Sequence, residues 1–281
     1  MPRFAINPQR ELRDASTAGV IAETDTPRTR ESLASDLSDL GVALGDRVIV
    51  HTSMRSLGWV NGGPVAFIQA LQDAVGSDGS IVMATQSGDL SDPGDWRHPV
   101  IPADWVDEVK RTMPAYDPAV TPTWRMGAVP ELFRTMPGVV RSNHPSGSFA
   151  AWGADADRIV ANHRPQRIGE ESPAARLYDL DGRVLLVGVG YDRNTCFHLS
   201  EYRSNSTKYV SELMPLVVDS KVEWTEVREI EFMDDATLSM LGADFESSHE
   251  VVVGKVGSAE CRLFSVKDCV DFGTAWLDLP E

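Results

Sequence analysis

The sequence is poor in cysteine, short of positive charge, and free of long apolar runs. Three cysteines occur in 281 residues: Cys196, Cys261 and Cys269. An odd number with no C-x-x-C spacing argues against a disulfide framework and against a structural zinc site. A reducing compartment suits such a chain. Lysine and arginine total 26 against 42 acidic residues, a formal net charge of −16. With no basic stripe, nucleic acid is not an expected partner. No stretch approaches the roughly 18–20 apolar residues of a membrane helix. The opening Met-Pro-Arg-Phe-Ala-Ile-Asn has no apolar core of a secretory signal. The expectation is a cytoplasmic protein with no membrane partner. Repeats and low-complexity tracts are also missing.

What is present is enough chain to bury a large core without a staple. Residues 1–27 are polar and aperiodic and read as a loosely ordered arm, leaving 28–281 as a single domain. Leu33, Leu37 and Leu40 mark one face of a helix that ends at Gly41. Val48–Val50 reads as a buried strand. Pro64 opens a helix carrying Phe67, Ile68, Leu71 and Val75, which Gly76 closes. Ile81–Met83 is the next strand. This alternation predicts an α/β fold with a central, mainly parallel sheet flanked by helices. Residues 87–123 form a long irregular loop rich in Asp, Pro and Trp, of the kind that is functional or disordered; its tryptophans argue for order. A helix is expected over 128–136. Val184–Val187 is the most apolar run and reads as a central strand. Met214–Val218 and Val222–Phe232, joined by Asp219-Ser220-Lys221, predict a hairpin, a β-rich insertion in the C-terminal half. A last helix is expected near Val266–Leu277.

The run from Val184 to Arg203 carries the chemistry. It reads as strand, glycine turn (Gly188-Val189-Gly190), then helix from about Thr195, with Asn194 or Thr195 as cap. Ligands in open α/β sheets gather at such strand ends. His198 falls in the first turn, where the helix dipole disfavours an imidazolium and keeps the ring able to accept a proton. Glu201, three residues on, shares its face and could orient the ring. A structural histidine and a metal-binding H-x-x-E pair are the competing readings. Cys196 lies two positions from His198, a poor spacing for a nucleophile–base pair. Gly188-x-Gly190 lacks the third glycine of a dinucleotide fingerprint.

Five ordered blocks carry a resemblance. They are His51-Thr52-Ser53-Met54-Arg55-Ser56-Leu57-Gly58 with Asn61-Gly62-Gly63-Pro64; Arg141-Ser142-Asn143-His144-Pro145 with Phe149-Ala150-Ala151-Trp152-Gly153; Ser172-Pro173-Ala174-Ala175-Arg176-Leu177; Leu185–Gly190 with Thr195 and His198-Leu199-Ser200-Glu201; and Gly254–Leu263. From about Arg28 to its end the chain resembles the aminoglycoside 3-N-acetyltransferase family, also called the antibiotic N-acetyltransferase family. The resemblance implies direct transfer of acetyl from acetyl-CoA, a cosubstrate, to an amine, with no metal. It implies His198 as general base, Thr195 near the thioester, and Glu201 or another acid beside the base. The family's usual H-x-A-E is His198-x-Ser200-Glu201 here. His51, Ser53, Arg55, Ser56, Ser142, His144, Pro145 and Ser172 match the acetyl-CoA site. Ser53, Arg55 and Ser56 suit a pyrophosphate or pantetheine amides; Ser142, His144 and Pro145 would line a pantetheine channel. A small cationic amine needs an acidic cleft. Asp89, Asp92, Asp95, Glu231, Asp234 and Asp235 are its candidates, and Asp92, Glu231 and Asp234 are carried forward. A different small amine as acceptor, or a CoA-binding protein without catalysis, are the alternatives, and a homodimer stays open.

Overall fold

The computed structural model describes residues 8–97, 99–219 and 221–279. Ten helices are described: α1 Pro8–Glu23, α2 Arg30–Asp39, α3 Gly63–Val75, α4 Val106–Thr112, α5 Ala128–Phe133, α6 Ala156–Val160, α7 Pro173–Asp179, α8 Phe197–Arg203, α9 Asp235–Ser248 and α10 Val266–Leu277. The strands are β1 Arg47–Thr52, β2 Ser80–Ala84, β3 Val140–Arg141, β4 Phe149–Gly153, β5 Arg183–Val187, β6 Tyr209–Val218, β7 Lys221–Ile230, β8 Val252–Val256 and β9 Ala259–Ser265. Seven of them form one sheet in the order β3-β4-β2-β1-β5-β9-β8. The expected parallel pairing holds at the centre, where β1 runs parallel to both β2 and β5. The flanking pairs, β2–β4, β3–β4, β5–β9 and β8–β9, are antiparallel. The predicted β-rich insertion is β6 and β7, a separate two-stranded sheet; Ser220 of its turn lies outside the described residues.

Side chains along a strand alternate between faces, and that alternation builds two cores. Val48, Val50, Ile81, Met83, Leu185 and Val187 face α2, α3 and α5 through Leu33, Leu37, Phe67, Leu71 and Phe133. Ile49, Val82, Val184 and Leu186 face the other way, against Leu177, Phe197, Leu199, Leu241, Phe245 and Val270. Each such fully buried side chain stabilises the fold by about 1.5–3 kcal/mol before entropy is charged. The result is a three-layer sandwich in which the strands β1 and β5, buried on both faces, end side by side.

One expectation changes. Residues 8–23 are helix α1, not a loosely ordered arm; residues 1–7 lie outside the described residues. The chain after α1 is tied to the domain, since Thr24 Oγ1 accepts from Trp59 N–H at 2.9 Å and Arg28 N–H donates to Trp59 O at 2.9 Å. The long loop 87–123 holds α4, and His98 within it lies outside the described residues. Arg141 pins it, donating to Thr121 O at 2.5 Å, Thr85 O at 2.5 Å and Ser87 Oγ at 2.9 Å.

Candidate active site

β5 ends at Val187 and the chain turns through Gly188, whose φ is +61°. A Cβ there would stand 2.2 Å from Ser56 Cβ, so only glycine fits. The turn is closed by Asn194, whose Oδ1 accepts from Cys196 N–H at 3.1 Å. This moves the helix start. Asn194 or Thr195 was expected to cap it, but α8 begins at Phe197 with Cys196 in the cap position and no side-chain cap bond. The side chain of Asn194 is spent on the turn instead.

His198 therefore sits one residue into α8. Its Nδ1 lies 2.5 Å from Glu201 Oε2. Glu201 is buried, and its other oxygen, Oε1, accepts from Met233 N–H at 2.6 Å. The ring of Phe232 meets His198 edge-on, with centroids 4.8 Å apart and an interplanar angle of 77°. An ionised carboxylate only accepts, so Nδ1 carries the hydrogen and Nε2 keeps its lone pair. The geometry thus fixes the ring and leaves Nε2 without a hydrogen bond among the described residues.

A cavity of about 500 Å³ opens over these groups, at the ends of β1 and β5. His51, Thr52, Thr195, His198, Phe232, Asp192 and Asp235 are among its walls. Burial, and then the electrostatic influence of the neighbouring His198 ring, push His51 down to about 4, so it is neutral. His51 Nε2 and Thr52 Oγ1 are buried without a hydrogen-bond partner among the described residues. Ser53, Arg55 and Ser56 line a neighbouring pocket of about 360 Å³ with Thr24 and Ser258. Ser56 Oγ donates to Gly188 O at 3.2 Å, so the same glycine turn borders both spaces. Arg55 is exposed and forms no ion pair among the described residues.

The remaining expected donor-site residues are not brought to either space. Ser142 Oγ bonds His163 Nδ1 at 2.9 Å and accepts from Phe149 N–H at 2.9 Å. His144 is fully buried; Gly147 N–H donates to its Nδ1 at 2.9 Å and Nε2 pairs with Pro165 O at 3.1 Å. Pro145 is buried beside it. Ser172 caps α7, accepting from Ala175 N–H. These side chains spend their polar atoms on bonds inside the fold and line neither space.

The expected acids also move. Asp92 pairs with Lys110 at 2.6 Å and accepts from Gly94 N–H at 2.9 Å, away from the cavity. Asp234 caps α9 through Thr237 N–H at 2.8 Å. Glu231 is exposed and does not line the cavity. Two other acids do. Asp235, one residue past Asp234, and Asp192, in the β5–α8 turn, both line it, and both pair with Arg193, at 3.1 and 2.8 Å. Asp192 was missed, though its place between the glycine pair and His198 was a usable signal. Phe232 and Met233 were missed because only the folded hairpin delivers them.

Cys196 is fully buried, and burial pushes its thiol up to about 12. It cannot supply a thiolate beside His198. Among the described residues no cluster of three or more metal-ligating side chains forms, and no helix is long and apolar enough to cross a membrane.

Residues 49–278 match the sequence profile of the aminoglycoside 3-N-acetyltransferase family. The chain is 46% identical over 259 residues to the SPbeta prophage-derived aminoglycoside N(3')-acetyltransferase-like protein YokD of Bacillus subtilis, covering 92% of this chain and 95% of the relative. The crystal structure of YokD superposes with a TM-score of 0.89, covering 92% of this chain and 96% of that one. AAC-VIa bound to sisomicin matches at 33% identity and a TM-score of 0.80, over 90% of this chain and 98% of that one. AAC-IIIb in its binary complex with CoASH matches at 29% identity and 0.79, over 90% and 97%.

Proposed function

The chain belongs to the aminoglycoside 3-N-acetyltransferase family, a family of acyltransferases, and we propose that it transfers acetyl from acetyl-CoA to the 3-amino nitrogen of an aminoglycoside with His198 as general base. The observation that carries this reading is the His198–Glu201 pair facing a cavity at the ends of β1 and β5. CoASH and sisomicin, bound by two relatives, supply the reagents.

In this reading the neutral amine attacks the thioester carbonyl carbon, forming C–N as the carbonyl π electrons move to oxygen. Nε2 of His198 takes the amine proton. The imidazolium that forms is held through Nδ1–H by Glu201, whose other oxygen is held by Met233 N–H. Collapse returns the electrons to the carbonyl and breaks C–S, and the sulfur leaves as the thiol once protonated. The buried Cys196 takes no part, so transfer is direct. Thr195 lines the cavity beside the reacting atoms. Ser53 and Arg55 offer a hydroxyl and a cation without an ion pair among the described residues, suited to the phosphates of the donor.

Thiol release from acetyl-CoA, followed with a panel of aminoglycosides for wild type and His198→Ala, tests this. Release that depends on the drug and falls by two or more orders of magnitude in the variant supports it; equal rates remove His198 from the chemistry. One observation favours a second acceptor class. Arg125 and Arg193 balance Asp192 and Asp235 in the cavity wall, so the wall itself is not strongly acidic. A small amine other than a polycationic drug fits such a wall, and acetyl-CoA binding without turnover of any aminoglycoside would select it.

A further inference from the structure

A second cavity, of about 440 Å³, lies beside the first. The two share Arg125 as a wall. The chain leaving β2 connects them: Gln86 lines the first, and Gly88 and Asp89 line the second. Trp96 and Trp124 form its apolar surface. Nothing described so far uses it.

Its polar inventory is small and specific. Asp89 Oδ1 is buried and has no hydrogen-bond partner among the described residues. A buried carboxylate oxygen without a donor is costly, and a ligand N–H or O–H would relieve that cost. The indole N–H of Trp96 is already spent on Ser91 Oγ at 3.0 Å, which fixes the ring. Trp124 is held by its backbone, since its N–H donates to Gln86 O at 2.8 Å, yet its side chain is 43% exposed. Arg141 and Ser87 pin the surrounding loop. The Trp96 ring and the backbone that carries Trp124 are therefore held in place.

Rigid indole faces with one acceptor-only group suit a saturated ring that carries amino or hydroxyl groups. The C–H face of such a ring covers apolar area, and one N–H or O–H reaches the carboxylate. Arg97 at the rim and Arg125 in the wall leave the pocket without net negative charge. Recognition here rests on shape and one hydrogen bond, not on a field.

The geometry points to Asp89, Trp96 and Trp124 as a distal acceptor subsite that holds an amino-sugar ring of the substrate remote from the nitrogen being acetylated. This rests on the aminoglycoside reading above. Asp89 donates nothing to the reaction; it sets which acceptors are held.

Sisomicin and its isolated diaminocyclitol ring are compared as acceptors for wild type, Asp89→Asn and Trp124→Ala, with circular dichroism and the KM for acetyl-CoA as controls on folding. The expected result is a rise of about tenfold or more in the KM for sisomicin in both variants, with kcat within about twofold and the KM for the single ring unchanged. Quenching of tryptophan fluorescence by sisomicin in wild type, weakened in Asp89→Asn, is the readout independent of turnover. Wild-type turnover of sisomicin with unchanged KM in both variants overturns the subsite and leaves the activity standing. No turnover and no quenching in wild type overturns both. No turnover with quenching that Asp89→Asn abolishes keeps the ring site and removes the acetyl-transfer reading.

Discussion

The backbone N–H of Met233 donates to Oε1 of Glu201 at 2.6 Å, tying the segment after the β6–β7 hairpin to the helix that carries His198. Glu201 is thus held between two donors, Met233 N–H on one oxygen and His198 Nδ1 on the other.

That arrangement makes Glu201→Gln informative. An amide has one accepting oxygen, and its NH2 would face a donor whichever way it turned. One of the two bonds must break. The expected outcome is a fall in kcat of about 10²-fold, with the KM for acetyl-CoA little changed, read from initial rates of thiol release.

Asp235 lines the cavity next to His198 and pairs with an arginine in its wall. Asp235→Asn should raise the KM for a cationic acceptor by about tenfold and leave the KM for acetyl-CoA unchanged. A matched rise in both would assign Asp235 to folding.

The thiols test the absence of an acetyl-enzyme. All three are buried, and burial pushes Cys196 up to about 12 and Cys261 up to about 11. An aromatic disulfide reagent should label them only after denaturation, and Cys196→Ala should keep kcat within about threefold. Loss of activity with the fold intact would restore a nucleophilic thiol.

Buried neutral histidines set an acid limit on stability. Burial holds His51 and His163 at about 4, against an ordinary 6.5. Their folded values are depressed, so the unfolded chain binds protons from about 6.5 downward while the native chain does not. Stability is intact above 6.5 and is lost as pH falls toward 4, by about 3 kcal/mol for each group at the lower end. Urea midpoints at pH 7.5 and 5.0 measure this; a flat profile contradicts it.

Glu229 on β7 is fully buried, bonded to the Tyr202 hydroxyl, to Arg167 N–H at 3.1 Å and to Ile230 N–H at 3.0 Å. Tyr202→Phe removes one donor from a buried carboxylate. A loss of about 1–3 kcal/mol in unfolding free energy is expected, measured by denaturant titration.

Much of the central architecture was legible because apolar period reports burial. Val184–Val187 and Ile81–Met83 are strands buried on both faces, and the Leu33–Leu37 spacing gave α2 its buried side. α1 was not legible, because Pro8–Glu23 alternates polar and small residues with only a weak apolar face. β8 and β9 were passed over as strands, since Gly254, Lys255 and Glu260 interrupt the pattern that their pairing creates. In the site, His198 and Glu201 were readable because helical spacing brings them together within one turn. Phe232 and Met233 were not, since their place depends on where a hairpin lands, and Asp235 stood among the candidate acids with nothing to single it out. Ser142, His144 and Ser172 were placed by sequence block alone, and spacing gave no sign of the internal hydrogen bonds that they make.

The walls of these spaces come from two groups of segments that meet at the β1 exit and the glycine turn. The space at Ser53, Arg55 and Ser56 is built on the β1 exit and the β8–β9 turn, whereas Trp124, Asp89, Phe232 and Asp235 ride on the long loop and the hairpin exit. Inheritance can therefore act on them separately. Insertions or substitutions in the second group can drift and retune what is accepted, while the strand ends that would receive the activated acyl carrier stay fixed. Such a scaffold diversifies on one side only, and its relatives should differ most in the loop and hairpin and least at the strand ends.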